Sequence, residues 1–212
     1  MYKKYFKRLI DFVLSTIGIV VLLPIWIALA LAIKVDDPGP IFFKQKRIAK
    51  DKNGKKQFFQ IYKYRSMKMC TPHDTPTHLL KNPQQYITKT GRFLRKTSLD
   101  ELPQIFNIWK GEMSIIGPRP ALWNQDDLYA ERAKYDANAI LPGLTGWAQI
   151  NGRDELEISE KAKFDGEYVK NISFLFDCKC FFGTLLSVLK KEGVVEGGTS
   201  EMKKRKDKEK EQ

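Results

Sequence analysis

Histidine and cysteine are scarce in this chain: two histidines and three cysteines in 212 residues. Cys70, Cys178 and Cys180 are odd in number and lack the spacing of a disulfide framework. They argue against a cysteine-stapled secreted domain and for a reducing, cytosol-facing setting. His73 and His78 lie in a stretch broken by Pro72, Pro76 and Pro83 and read as surface residues rather than metal ligands. No internal repeat is visible, and neither a zinc-finger nor an RNA-recognition signature appears. Acidic residues number 25 against 37 Lys and Arg. The net charge of +12 calls for an anionic partner: nucleic acid, an acidic membrane or a phosphorylated substrate.

What the chain does have is a long apolar run. Residues 12–33, FVLSTIGIVVLLPIWIALALAI, carry no charge. At about 1.5 Å per residue, a straight helix of this length reaches across a bilayer core of roughly 30 Å. The run is too long for the apolar region of a typical signal peptide. Pro24, near its middle, removes a backbone donor and predicts a kink. Lys3, Lys4, Lys7 and Arg8 precede the run; Lys34, Lys44, Lys46, Arg47 and Lys50 follow it. Positive charge on both flanks places both ends on the cytosolic side, as a re-entrant hairpin requires. A kinked but spanning helix satisfies the same composition, so the residues leave both open.

Beyond the run, Ile41–Phe43 and Phe58–Ile61 flank the turn-forming Asp51-Lys52-Asn53-Gly54, which predicts a β-hairpin with a basic loop. Residues 70–90 read as a loop. In 178–191, Cys178, Phe181, Phe182, Leu185, Val188 and Leu189 share one helical face, which suits either a bilayer surface or a core. The last twelve residues hold no apolar side chain except Met202 and read as a disordered tail.

The densest chemistry lies in GRFLRKTSLDELPQIFNIWKGEMSIIGPRP, residues 91–120. Leu102, Ile105, Phe106 and Trp109 recur at helical spacing, and Gly111 is placed to end that helix. Pro103 is harmless only in a first turn, so the helix begins near Asp100–Leu102. Ser98 and Glu101 also fit a capping box, although that would put Pro103 deeper in the helix, where its missing donor matters. The surroundings favour chemistry. Arg92, Arg95 and Lys96 precede the acidic pair, and Arg119 follows between two prolines, pre-positioned to bind phosphate. Carboxylates among arginines, without histidine, suit metal-assisted phosphoryl transfer: one carboxylate as nucleophile, another on Mg²⁺. A salt-bridge cluster is the alternative.

Several blocks resemble the monotopic bacterial polyprenyl-phosphate phosphoglycosyl transferases, the initiating sugar transferases of surface-polysaccharide and glycoconjugate pathways. They are Lys7-Arg8-x-x-Asp11, GPIFFKQKR (39–47), KYRSM (63–67), SLDELPQIFNIWKGEMSIIGPRP (98–120) and PGLTGWAQINGR (142–153). The resemblance implies a helix-break-helix membrane hairpin at Pro24, entered through Lys7, Arg8 and Asp11, with both ends cytosolic. It also implies a Mg²⁺-dependent ping-pong reaction at the inner face of the cytoplasmic membrane. In that reaction Asp100 attacks the β-phosphate of a UDP-sugar, UMP leaves, and the phosphosugar passes from Asp100 to polyprenyl (undecaprenyl) phosphate. Glu101, with Asp100, would hold the metal. Arg119 would clamp a phosphate and Arg95 would support the site. Lys63, Arg65, Gln149 and Arg153 are further substrate-binding candidates. Downstream glycosyltransferases are further partners the family implies; nucleic acid is not. Departures from the family pattern are few. Leu23 precedes Pro24 where Ser is common, Tyr64 replaces Phe, and Leu141 stands where Arg is common. No counterpart of the large additional membrane domain of some members is present, so the minimal form is expected.

The expected architecture is mixed α/β. It comprises a re-entrant membrane hairpin over residues 1–36 and a cytosolic catalytic domain over 37–192. The latter carries a small β-hairpin, amphipathic surface helices and a compact core; a basic tail occupies 193–212. The competing function is a membrane-anchored basic module binding anionic lipid or nucleic acid, but acidic residues at the centre of the basic cluster would repel phosphates unless a metal intervenes. The topology is open to direct test. In a variant without native cysteines, single cysteines placed just before residue 12 and just after residue 33 are expected to label from the same side of the membrane; opposite-side labelling would establish a spanning helix.

Overall fold

The apolar run does not form one helix. A computed structural model describes residues 1–71, 83–152 and 156–190. In it, α1 (Lys7–Val21) and α2 (Leu23–Asp36) are bent by 62° at Leu22. Pro24 falls in the first turn of α2, where its missing N–H leaves nothing unpaired. The helix resumes as Trp26 N–H donates to Leu22 O at 2.9 Å. Among the described residues no single helix is long and apolar enough to cross a membrane.

This helix pair is inside out by the standard of a water-soluble protein. Asp11 and Ser15 are 3% and 1% exposed, whereas Leu9, Phe12, Ile17, Val20, Ile25 and Leu31 lie open. The polar face is the docking face. Arg8 donates to Ile108 O (2.6 Å) and Trp109 O (2.8 Å), capping the C-terminal carbonyls of α4 (Gln104–Lys110), where a cation also suits the helix dipole. Asp11 accepts from Ile115 N–H at 3.0 Å, anchoring β3 (Ser114–Ile116). Gly18 faces Ile105 so closely that a Cβ there would lie 2.6 Å from Ile105 Cδ1. From α2, Trp26 packs on Phe106 and Tyr64, with ring centroids at 5.1 and 5.8 Å.

The expected β-hairpin forms as β1 (Phe42–Ile48) and β2 (Phe58–Tyr64), antiparallel with Gln45 opposite Ile61. At the tip of their connection Asn53 and Gly54 both take positive φ, and Lys52 and Lys55 exchange backbone hydrogen bonds around them. The described part of the proline-broken stretch is more ordered than a loop. Pro83–Tyr86 forms a 3₁₀ turn, and Thr88 caps α3 (Lys89–Thr97) by accepting from Gly91 N–H at 2.9 Å. α3 was not among the expected elements; Phe93 and Leu94 are its only large apolar residues, set among lysines and arginines.

The helix after the acidic pair also differs from expectation. A 3₁₀ turn, Leu99–Glu101, comes first, and α4 starts at Gln104 with Pro103 as its cap residue. Its buried face is not the apolar stripe but Gln104, Asn107 and Ile108. Asn107 replaces a strand: its Oδ1 accepts from Tyr62 N–H (3.0 Å) and its Nδ2 donates to Gln60 O (2.8 Å), pairing the free edge of β2. The stripe of Leu102, Ile105 and Phe106 instead faces α1 and α2, the helices of the apolar run. Gly111 ends α4 at φ 87°, as predicted.

β3 pairs in parallel with β4 (Gly143–Thr145) after a crossover that includes α5 (Asp126–Ala133). The two segments touch backbone to backbone: a Cβ on Gly143 would lie 2.1 Å from Gly117 N, and one on Gly146 2.2 Å from Gly117 O. After the short α6 (Trp147–Ile150) come α7 (Ile158–Lys170) and α8 (Phe174–Lys190). Asp177 at the start of α8 accepts from Tyr168 (2.6 Å), Tyr2 (2.6 Å) and Lys7 (2.6 Å), locking the chain's first turn to its last helices. Further along α8, Cys180 is buried while Phe181, Phe182 and Leu185 are exposed, so the apolar stripe of this helix is not a core face. The expected basic tail, His73, His78 and Arg153 lie outside the described residues.

Asp177→Ala leaves the part-buried Lys7 and the Tyr2 hydroxyl without their acceptor and Tyr168 with only its bond to Ile116 O. It is expected to cost about 3 kcal/mol of stability, measured by denaturant unfolding in detergent micelles.

Candidate active site

Three elements converge on the acidic pair. Ser98 ends α3 in the left-handed region (φ 58°), which turns the chain sharply into the 3₁₀ turn bearing Asp100 and Glu101. β2 supplies Lys63. The segment after β3 supplies Arg119, fixed between Pro118 and Pro120 and by Gly143 N–H donating to Pro118 O at 2.8 Å. α3 supplies Arg95, whose Nε donates to Ser66 Oγ at 3.0 Å. Gly91 permits that approach, since a Cβ there would lie 2.0 Å from Ser66 O.

The capping box is absent. Ser98 makes no capping hydrogen bond with its side chain. Glu101 instead binds two cations. Its Oε1 accepts from Lys63 Nζ at 2.8 Å and from Arg119 at 2.7 Å, and its Oε2 accepts a second Arg119 bond at 3.3 Å. Burial alone would raise this carboxyl, but the charges and hydrogen bonds of Arg119 and Lys63 overcome it and hold Glu101 well below the usual carboxylate range. Asp100 has the opposite balance. Burial pushes it above its usual range, with Glu101 adding to the rise, and the charges of Lys63, Arg95 and Arg119 offset this only in part. Two adjacent carboxylates are thus driven apart, one a fixed anion and one held in reserve as the more basic oxygen.

Beside the pair opens a pocket of about 250 Å³. Glu101, Arg119 and Gln149 line it, with Ser98 and Thr145. Gln149 Nε2 donates to Gly117 O at 3.4 Å, while its buried Oε1 has no partner among the described residues. Leu102 and Ile105 form one wall, and Phe181 and Leu185 of α8 another. Sequence reasoning found the apolar stripe on α8 but not its place here, because that depends on how α8 packs against β3 and β4.

The other candidates stand away from the pair. Arg65 is 7% exposed and tied to Asp37, its Nη1 lying 3.5 Å from Asp37 Oδ2 at the end of α2. Lys7, Arg8 and Asp11 fasten α1 to Asp177, α4 and β3, and Pro24 opens α2. Among the described residues no group of three or more His, Cys, Asp or Glu gathers as a ready metal cage.

A sequence model described as bacterial sugar transferase matches residues 2–191. The chain belongs to the bacterial sugar transferase family. It is 41% identical over 186 residues to a UDP-glucose:undecaprenyl-phosphate glucose-1-phosphate transferase of Escherichia coli strain K12, covering 84% of this chain and 39% of that one. It is 34% identical over 204 residues to an undecaprenyl-phosphate galactose phosphotransferase of Salmonella typhimurium, covering 90% of this chain and 42% of that one. An uncharacterized sugar transferase of Bacillus subtilis strain 168, EpsL, is 38% identical over 193 residues, with 89% of each chain covered. The chain thus spans about two-fifths of the length of the first two relatives and most of the third.

The site predicts stability effects of opposite sign, measured by thermal unfolding without divalent metal. Glu101→Gln deprives Lys63 and Arg119 of their shared anion and is expected to destabilise by about 2 kcal/mol. The contribution of Glu101 is present above the ordinary carboxylate pKa and is lost as pH falls through its depressed one. That of Asp100 is present below the ordinary pKa and lost as pH rises through its raised one. Asp100→Asn is therefore expected to stabilise the fold at neutral pH.

Proposed function

We propose that this chain transfers a sugar 1-phosphate from a UDP-sugar to polyprenyl (undecaprenyl) phosphate, through a covalent intermediate on Asp100. The observation that carries this is the asymmetry of the pair. Glu101 is hydrogen-bonded to Lys63 and Arg119, whereas Asp100, raised by burial amid the charges of Lys63, Arg95 and Arg119, is the more basic of the two carboxylates and the better nucleophile. Relatives named for glucose-1-phosphate and galactose phosphate transfer to undecaprenyl phosphate support the substrate class, and their different sugars leave the sugar of this chain open.

In the first half-reaction an Asp100 oxygen attacks the β-phosphorus of the UDP-sugar. The bond from that phosphorus to the bridging oxygen breaks, and UMP leaves with the electron pair. In the second half-reaction a phosphate oxygen of the acceptor lipid attacks the same phosphorus and Asp100 is released. Arg119, stiffened by its prolines, neutralises non-bridging phosphate oxygens, and Arg95 and Lys63 keep the surroundings of Asp100 positive.

The donor set fits Mg²⁺, an ion that takes hard oxygen ligands and binds through one or two carboxylates plus substrate phosphates and water. Glu101 Oε2 accepts the long 3.3 Å bond from Arg119 and retains accepting capacity, and Asp100 is the adjacent oxygen donor. Bound there, the ion would neutralise diphosphate charge as the leaving group departs.

The inside-out helix pair supports a place for the enzyme at the cytosolic face of the membrane, where both ends of a re-entrant hairpin remain inside. A pair of partly buried carboxylates at the centre of the basic cluster also counts against the binding-module reading, which has no use for an acidic centre.

The test uses purified protein with Mg²⁺, a panel of UDP-sugars and undecaprenyl phosphate, with UMP release as the readout. Asp100→Asn is expected to lower turnover by at least about a thousandfold and to abolish trapping of labelled phosphosugar on the protein. Substantial residual turnover in that variant would sink the covalent mechanism.

A further inference from the structure

We infer that the pocket between α4 and α8 is the slot for the acceptor lipid's first isoprene units, with Phe181, Leu185 and Ile105 as the residues that recognise them. This rests on the transferase reading above and assigns one of its two substrates to a particular wall of the site. The pocket has two chemical characters. Its polar side is compact: Arg119 is bound to Glu101, while Gln149 and Thr145 both bond to the backbone of Gly117, two residues before Arg119. The rest is mostly hydrocarbon, from Leu99, Leu102 and Ile105 on one side and Phe181 and Leu185 of α8 on the other, with the hydroxyls of Ser98, Thr184 and Ser187 among them. A nucleoside would leave its base and ribose polar groups unpaired against such walls, a loss of about 1–3 kcal/mol per group. An isoprenoid loses nothing there, and each buried methylene contributes about 0.8 kcal/mol.

The surroundings select the same occupant. Phe181 and Leu185 line the pocket while 44% and 47% exposed, and Phe182 and Leu186 continue the apolar surface outward along α8. On the opposite wall, Ile105 is backed by Gly18 of the membrane-run helix α1. A prenyl chain therefore passes from the apolar outer surface to the cationic end of the pocket along Phe181, Leu185 and Ile105, beside a Thr184 hydroxyl that is already bonded within the fold. The α8 wall is also held in place. Thr184 donates to Cys180 O at 2.8 Å and pairs with Thr145 at 2.6 Å, pinning the helix to β4 beside Leu185.

The experiment is substitution of Leu185, an exposed wall residue, by Trp, with steady-state kinetics in both substrates. A filled slot is expected to raise KM for undecaprenyl phosphate about tenfold. In a ping-pong reaction kcat/KM for the UDP-sugar contains no acceptor step, so it should stay within about twofold of wild type. A loss confined to the UDP-sugar would place the nucleoside in the slot and overturn the inference, as would equal losses for both substrates. Binding of farnesyl phosphate, read as a thermal shift, is the second measurement. It is expected for wild type and weakened about tenfold in Leu185→Trp and Phe181→Ala; undiminished binding in both also overturns the inference. Failure of wild type to release UMP from any UDP-sugar would count against the proposed function, and the farnesyl phosphate arm would still decide the slot.

Discussion

Glu101 is the point at which the separate parts of this molecule are made to agree. One carboxylate, on a single 3₁₀ turn, holds a lysine from the β-hairpin and an arginine from the segment after β3. Ion pairs at partly buried sites add little net stability when replaced whole by apolar groups, but removing one partner leaves an unpaired charge. The value of this pair is therefore geometric. It sets the distance between β2 and the Pro-flanked Arg119, and by holding Glu101 ionised it leaves Asp100 the more basic of the two carboxylates.

The rest of the fold supports that turn from two directions. The parallel pair of β3 and β4 depends on glycines whose backbones touch, so Arg119 is carried on one of the least adjustable segments of the chain. From the other side, α1 caps α4 through Arg8 and holds β3 through Asp11. The apolar helix pair is thus a structural member of the site, not an appended anchor. Its polar residues bond to α4 and β3, the elements beside the acidic pair, and its apolar residues face outward.

Legibility in the sequence followed locality. The bend near Pro24, the hairpin with its Asn-Gly turn and the helix end at Gly111 were readable because single residues dictate backbone geometry there. The acidic pair and Arg119 were readable because charge clusters and prolines mark them. The buried face of α4 was not, because Asn107 and Gln104 are polar and only the neighbouring β2 edge makes their burial favourable. The pairing of Arg65 with Asp37, rather than a place beside Asp100, likewise depends on where α2 ends in space. The α8 wall of the pocket was the least legible part, since it depends on packing between segments far apart in the chain.

Asn107 has one more consequence. A two-stranded sheet ordinarily presents a row of unsatisfied amides that invites another chain to add as a third strand. Here a helix side chain fills that row at its middle, bonding both Tyr62 N–H and Gln60 O. At the membrane surface proposed for it, the chain would meet copies of itself far more often than in free solution. Closing this edge with a helix removes a route by which such crowding would turn encounters into aggregation.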